Sequence, residues 1–224
     1  MFMMIGNVLD AAALGRVRGN AEELEWRDGA LTAGVTAKQV KHNEQADLSS
    51  VPGKAVVKEV TEAIRANAVF TAAARPAKLS PILLSRTGPG GGYGAHVDNA
   101  IMGSEGRKLR TDLSFTLFLS DPESYEGGEL VLDLPGGAQS LKPAAGDLIL
   151  YPSTLIHAVE TVTSGERLVA VGWVQSQLRS AAQRQTLFDL EQVRATLRAK
   201  QGMGSEALML DKVISNLLRQ WGEL

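Results

Sequence analysis

Between about Leu79 and Ser176, glycine, proline and aspartate interrupt the chain every few residues, so this stretch must fold through short extended segments rather than long helices. The β-prone runs between the interruptions are Pro81–Arg86, Tyr93–Asp98, Asp112–Ser120, Gly128–Leu134, Gln139–Lys142, Asp147–Tyr151, Leu155–Thr161 and Arg167–Gln175. Their separators include Thr87-Gly88-Pro89-Gly90-Gly91-Gly92, Asp121-Pro122, Pro135-Gly136-Gly137, Pro143-Ala144-Ala145-Gly146-Asp147 and Ser164-Gly165. Within Asp112–Ser120, Leu113, Phe115, Leu117 and Leu119 point one way and Ser114, Thr116 and Phe118 the other, which is the two-residue period of a strand. Eight short strands spaced in this way predict a jelly-roll sandwich or a barrel.

The flanks read differently. Residues 1–77 form a mixed, helix-leaning flank expected to pack on the β-core of residues 78–177. Val8 to Val17 is rich in alanine and leucine, with Asp10 as its expected N-cap. Val56 to Phe70 carries Val57, Val60, Ile64 and Val69 at helical spacing, and the polar stretch from Ala37 to Ser50 reads as loop. Residues 178–224 nearly lack glycine and proline and form a C-terminal helical extension. Leu187, Leu190, Val193 and Leu197 stripe one helix; Leu210, Val213, Ile214, Leu217 and Trp221 stripe a second, for which Ser205 is the expected N-cap. Such stripes demand a cover, and the expectation is docking on the chain's own β-core with some part in a homodimer.

Composition removes whole classes of chemistry. The 224 residues include no cysteine, which excludes disulfides, zinc–thiolate sites, iron–sulfur clusters and thiol nucleophiles. A net charge of −2 gives no global field for nucleic acid or for an anionic membrane, and neither is an expected partner. No apolar run approaches the ~18 residues of a membrane span, and the short apolar start at Met1-Phe2-Met3-Met4-Ile5 lacks the basic region of a signal peptide. The expected location is the cytoplasm. Met1, Met3 and Met4 are alternative starts.

Only His42, His96 and His157 offer imidazoles, and His42 lies in a polar context expected to face solvent. His96 and Asp98 stand two apart on a predicted strand and so share a face. His157 follows 59 residues after Asp98 on another predicted strand. Two histidines and one carboxylate occupy one face of an octahedron, which is the ligand set of non-heme iron(II) oxygenases. A histidine satisfied within a core is the plainer reading of either ring taken alone. Ten residues after His157 comes Arg167, on one face with Val169, Val171 and Trp173. A guanidinium facing an apolar interior requires an anion. That anion is either Glu160 or Glu166, in a salt bridge, or the carboxylate of a bound acid whose other end chelates the metal.

The phrase Tyr93-Gly94-Ala95-His96-Val97-Asp98, followed by His157 and Arg167, resembles the pattern of the prolyl-4-hydroxylase-like branch of the 2-oxoglutarate dioxygenases. Arg110–Pro122, Tyr125–Leu130, Pro143–Pro152 and Ser153–His157 further resemble the bacterial PKHD-type hydroxylases, some of which are associated with iron uptake. The resemblance covers roughly residues 78–178 in detail, and the helical tail resembles that family's C-terminal extension less specifically. It implies a double-stranded β-helix (jelly roll, cupin-like) and a requirement for iron(II), 2-oxoglutarate and O2, with L-ascorbate to keep the iron reduced. Carried onto this chain, it implies His96, Asp98 and His157 as metal ligands, Arg167 as the 2-oxoglutarate anchor and Tyr93 as a pocket wall. Arg86 departs from the pattern, since some prolyl hydroxylases carry a tyrosine there that touches the co-substrate. The implied reaction decarboxylates 2-oxoglutarate to succinate and hydroxylates a small molecule or a protein side chain.

Two rivals share parts of this pattern. One is a non-catalytic cupin-like module that binds a metal or small acid as a sensor or store; a pure metal binder has no need of Arg167. The other is a zinc hydrolase, for which no separate acid/base beside a ligand histidine stands out. Gly88 to Gly92 lacks the Gly-Lys-Ser/Thr of a phosphate loop and reads as a flexible lip of the site, Glu126-Gly-Gly-Glu129 as a turn. Asp112 and Ser114 are expected on a strand near the site, either touching substrate or forming an ordinary polar face.

Overall fold

A computed structural model describes residues 2–32, 40–104, 106 and 108–223. The first third holds β1 (Met3–Ile5), α1 (Ala11–Glu22), β2 (Trp26–Asp28), β3 (Lys41–His42), β4 (Glu44–Ala46), α2 (Val51–Ala66) and α3 (Ala68–Ala74). The middle holds β5 (Pro76–Leu79), β6 (Leu83–Thr87), β7 (Gly92–His96), β8 (Ile101–Met102), β9 (Leu109–Arg110), β10 (Leu113–Phe118), β11 (Tyr125–Glu126), β12 (Leu130–Leu134) and β13 (Gly137–Leu141). After these come β14 (Leu148–Pro152), β15 (His157–Val159), β16 (Ser164–Gly165), β17 (Arg167–Ser176), α4 (Ala181–Gln201) and α5 (Ser205–Trp221).

Each of the eight expected runs contains a strand, and their antiparallel pairing makes the jelly roll. The major sheet runs β1-β14-β10-β17-β6-β4-β2, with β5 also paired to β17; the minor sheet runs β13-β12-β15-β7-β3. Alternation assigns the layers. On β10, Leu113, Phe115 and Leu117 join the core beneath the helices, with Val56, Val60, Ile64 and Phe70. Phe118 packs on the other face, with Leu130 and Leu132 of the minor sheet and Ile149, Tyr151 and Val169 of the major sheet. The order is therefore helices, major sheet, minor sheet.

The flanks depart from expectation where local signals were weak. Asp10 caps α1 as expected, its side chain accepting from the Ala13 amide. The helix expected over 56–70 is two helices. Asn67 adopts an extended conformation that ends α2, and its Oδ1 accepts from Phe70 N at 2.9 Å to start α3. The loop expected over 37–50 contains β3, an edge strand of the minor sheet, and β4, which lies between β6 and β2 in the major sheet; residues 37–39 lie outside the described residues. Of the three N-terminal methionines, Met1 lies outside them too, while Met3 to Ile5 add an edge strand against β14. Gly204, extended before the first turn, is the cap residue of α5, and Ser205 is the first helical residue.

The C-terminal extension docks on the chain itself, against the helical layer rather than directly on the sheets. Phe188 of α4 enters the main core, and Arg75 at the end of α3 pairs with Glu191 at 2.7 Å. Leu178, Leu187 and Ile214 form a small core of their own. The apolar stripes are covered only in part, since Val193, Leu208 and Val213 remain exposed.

Phe70 is fully buried and meets the Phe115 ring edge-on at 5.9 Å, joining the helical layer to the major sheet. Phe70→Ala is expected to cost about 3–5 kcal/mol of stability. Urea unfolding followed by circular dichroism measures it, and a loss below about 1 kcal/mol would show that this contact does not hold the two layers together.

Candidate metal and co-substrate site

His96 ends β7 and His157 begins β15, and the two residues are direct cross-strand partners in the minor sheet. Their rings lie 4.2 Å apart between centroids. Asp98 is not on the strand with His96, as the spacing suggested, because β7 stops at His96. Beyond the strand's end Val97 is exposed and the Asp98 side chain is directed inward. One donor atom from each of His96, Asp98 and His157 lies within 4.8 Å of the others, so His96 and Asp98 keep the shared side that their spacing predicted although the strand ends between them.

Hydrogen bonds prepare each donor. His96 Nδ1 is 2.8 Å from Gly94 O and His157 Nδ1 is 3.0 Å from Leu155 O. A carbonyl can only accept, so in the neutral rings Nδ1 carries the proton and Nε2 keeps its lone pair for a metal. Asp98 Oδ2 accepts from Ser114 Oγ at 2.6 Å, and Ser114 Oγ lies 2.7 Å from Ser153 Oγ. Ser114 thus touches a member of the His–Asp–His cluster, while Asp112 pairs with Arg110 and accepts from the Ser176 amide. Ser153 was not a sequence candidate, since a serine signals nothing without its partner in space.

Burial sets the protonation of the first ring. Loss of solvent, reinforced by the neighbouring His157, pushes His96 down to about 4. The fold therefore favours the neutral ring, and its contribution to stability drains as pH falls from about 6.5 through about 4. Tyr93 stacks on His96 with centroids 3.6 Å apart, and burial followed by the charge of Asp98 raises its phenol to about 12, so it remains a neutral wall. Tyr151, also missed by sequence reasoning, is buried on the other side and meets His157 edge-on at 5.1 Å.

Arg167 starts β17 on the facing major sheet and is 3% exposed. Burial lowers its pKa, opposed by Tyr125, Tyr151 and Glu129. Neither Glu160 nor Glu166 pairs with it; both are exposed, and among the described residues no carboxylate forms an ion pair with Arg167. Its Nε is buried without a hydrogen-bond partner among the described residues. Gly128 makes room for this side chain: at φ +70°, a Cβ there would stand 3.0 Å from Arg167 Cδ. One cavity of about 1240 Å³ is lined by Tyr93, His96, Asp98, His157 and Arg167 together.

Other expectations resolve differently. Arg86 faces outward, pairing with Glu44 at 2.6 Å and lying over the Trp26 ring, while Ser85 and Thr87 beside it line the cavity. The glycine run expected as a flexible lip is a tied turn. Gly90 N donates to Val162 O and Val162 N to Gly91 O, at 2.8 and 2.9 Å. His42 is exposed, as expected, and is absent from the ligand cluster.

The donor set fits iron(II): two neutral imidazoles and one carboxylate on one side, with a cavity on the other. Similar proteins carry the comparison further. Residues 82–175 match the 2OG-Fe(II) oxygenase superfamily, and residues 182–223 match the PKHD-type hydroxylase C-terminal domain. A PKHD-type hydroxylase of Hyphomonas neptunium is 48% identical over 223 residues, covering 99% of this chain and all of that protein. One from Maricaulis maris is 51% identical over 196 residues, 88% of this chain and 87% of its own length. Among solved structures, a Pseudomonas putida prolyl-4-hydroxylase shares the fold at a TM-score of 0.54 and 19% identity, covering 78% of this chain and 92% of that one. HygX of Streptomyces hygroscopicus, solved with nickel, 2-oxoglutarate and hygromycin B, does so at 0.55 and 15%, covering 79% and 84%. No described helix is long and apolar enough to cross a membrane. The chain belongs to the PKHD-type hydroxylases, and is an iron(II)- and 2-oxoglutarate-dependent dioxygenase.

Proposed function

We propose that His96, Asp98 and His157 hold the iron(II), that Arg167 binds the distal carboxylate of 2-oxoglutarate, and that the enzyme hydroxylates a small molecule or a protein side chain. The observation that carries this reading is Arg167. A buried guanidinium without a carboxylate partner faces the same cavity as the His–Asp–His cluster. Burying an ion unpaired costs several kcal/mol, and a bound dianion removes that cost.

Iron(II) bound with 2-oxoglutarate supplies the oxidative chemistry, in which O2 is consumed, 2-oxoglutarate becomes succinate and CO2, and the substrate gains a hydroxyl. The chain's own residues supply placement. The carbonyls of Gly94 and Leu155 fix the two rings, and Ser114 holds Asp98 by one oxygen. Arg167 offers a planar fork that a carboxylate meets with two hydrogen bonds. Tyr93, Val169 and Val171 line the cavity and limit water. L-ascorbate as reductant, a location in the cytoplasm and an association with iron uptake belong to the same reading through the family resemblance. So do the division into 1–77, 78–177 and 178–224 and a homodimer joined through the tail, whose exposed Leu208 and Val213 support it.

Three substitutions test the assignment. Asp98→Ala removes the anionic ligand and is expected to abolish both iron binding and succinate formation; iron bound with near-native affinity would remove Asp98 from the site. Arg167→Ala is expected to raise the 2-oxoglutarate concentration needed for half-maximal turnover roughly 30-fold or more, from the ~2–5 kcal/mol of a truncated buried charge contact, with iron binding retained. Equal loss of iron would make Arg167 structural instead. Gly128→Ala, at a positive φ that costs an L-residue about 1–2 kcal/mol, presses on Arg167 Cδ. It should weaken 2-oxoglutarate binding in calorimetry while leaving metal content unchanged, and unaltered co-substrate affinity would show that Arg167 needs no such clearance.

A further inference from the structure

The cavity is far more positive than the chain around it. The whole sequence has 23 basic and 25 acidic residues, yet the described lining holds five cations (Lys41, Arg65, Lys78, Lys108 and Arg167) and one carboxylate, Asp98. On the assignment proposed above, a dication, Asp98, a dianionic co-substrate and Arg167 cancel in formal charge. Beyond these, the described lining adds Arg65, Lys78 and Lys108, together with Lys41, and no further carboxylate. Lys41 is 7% exposed, and burial lowers it to about 8, so it is still largely charged at neutral pH.

Register places two of these cations at the substrate side of the metal. Along β17, Arg167, Val169, Val171, Trp173 and Gln175 share the cavity face. Trp173 is the cross-strand partner of Ser114, whose hydroxyl holds Asp98. Lys78 of β5 is the partner of Gln175, hence on the same face and two residues, roughly 7 Å, farther out from Arg167. Lys108, just before β9, stands beside it, with Lys78 Nζ 3.5 Å from its carbonyl oxygen. Both lysines are exposed at the mouth, and among the described residues neither has a carboxylate partner. Between them and the metal ligands, Trp173 Nε1 is a buried donor without an acceptor. A solvated rim of lysines would explain the two exposed cations alone. It does not explain why the described lining sets one carboxylate against five cations, or why a buried donor has no acceptor among the described residues.

We infer that the primary substrate is anionic, carrying a carboxylate or phosphate that Lys78 and Lys108 receive at the cavity mouth, with the hydroxylated carbon held inward beside Trp173. This rests on the metal and co-substrate assignment above. A cleft lined by one sign of charge concentrates its ligand and hastens entry, and the effect weakens as salt shortens the ~8 Å screening length of physiological buffer.

The test uses the full chain loaded with iron(II). Calorimetric titration of 2-oxoglutarate comes first; absence of binding there overturns the co-substrate assignment and with it this inference. With binding present, succinate formation is followed on adding five pools. Three are the anionic, neutral and cationic fractions of a bacterial small-molecule extract, and two are synthetic peptides, one set acidic and one set basic. Stimulation at least fivefold over the unsupplemented rate is expected only from an anionic pool, and which of the two anionic pools stimulates identifies a small acid or an acidic peptide as the carrier. Lys78→Glu/Lys108→Glu should lower that stimulation tenfold or more, Lys78→Gln/Lys108→Gln by less, and 0.5 M salt should reduce it in the wild type. Thermal melting checks that the variants are folded. Stimulation by a neutral or cationic pool, by no pool, or undiminished in a folded charge-reversed variant would overturn the inference.

Discussion

The two-residue period of β17 is the constraint on which the rest of the molecule depends. Its Leu168, Ala170 and Val174 belong to the core beneath the helices, while Arg167, Val169 and Trp173 line the cavity. The strand is hydrogen-bonded on one edge to β10 and on the other to β6 and β5. A slip of one residue would put Arg167 into the helical core and Ala170 into the site. Register is therefore fixed by hydrophobic burial, and the chemistry inherits its geometry from that burial. Gly172 shows how tight the fit is, since a Cβ there would stand 2.6 Å from the Phe115 ring.

Facing this strand, the minor sheet contributes the two imidazoles as a cross-strand pair, and the carboxylate arrives from the segment just after β7. That segment is braced from a distance. Thr111 Oγ1 donates to Asn99 O at 2.6 Å and Thr111 N to Ala100 O at 3.0 Å, holding the residues that follow Asp98. Beside Thr111, Arg110 pairs with Asp112 at 2.7 Å and with Glu223 at 3.0 Å. Glu223 in turn donates its amide to Gln177 O, so the end of the chain is tied to the segment that carries the carboxylate. The C-terminal extension is thus joined to the site's frame as well as to the helical layer, through polar contacts that its apolar stripes do not suggest.

How much of this was legible in advance follows from what each signal depends on. The eight strand-bearing runs, the helix capped by Asp10 and the two tail helices were readable because alternation, helical spacing and a capping side chain are local properties of the chain. The short strands at Met3–Ile5, Lys41–His42 and Glu44–Ala46 were not, since a two- or three-residue strand has no period of its own and exists only through the neighbours that supply its hydrogen bonds. The break at Asn67 was hidden for a related reason, because the apolar residues on either side keep helical spacing across it.

At the site, the residue types and their order along the chain pointed to the chemistry: two histidines, one aspartate and one arginine, in a pattern that resembles the family to which the chain belongs. Tertiary structure alone decided that Asp98 reaches His157, that Ser114 holds it and Ser153 in turn meets Ser114, and that Glu160 and Glu166 leave Arg167 without a carboxylate partner among the described residues. The physical reason is the range of the interactions. Metal-donor identity and strand period are written residue by residue, whereas convergence, desolvation and the charge of a cavity depend on which distant segments the fold brings face to face.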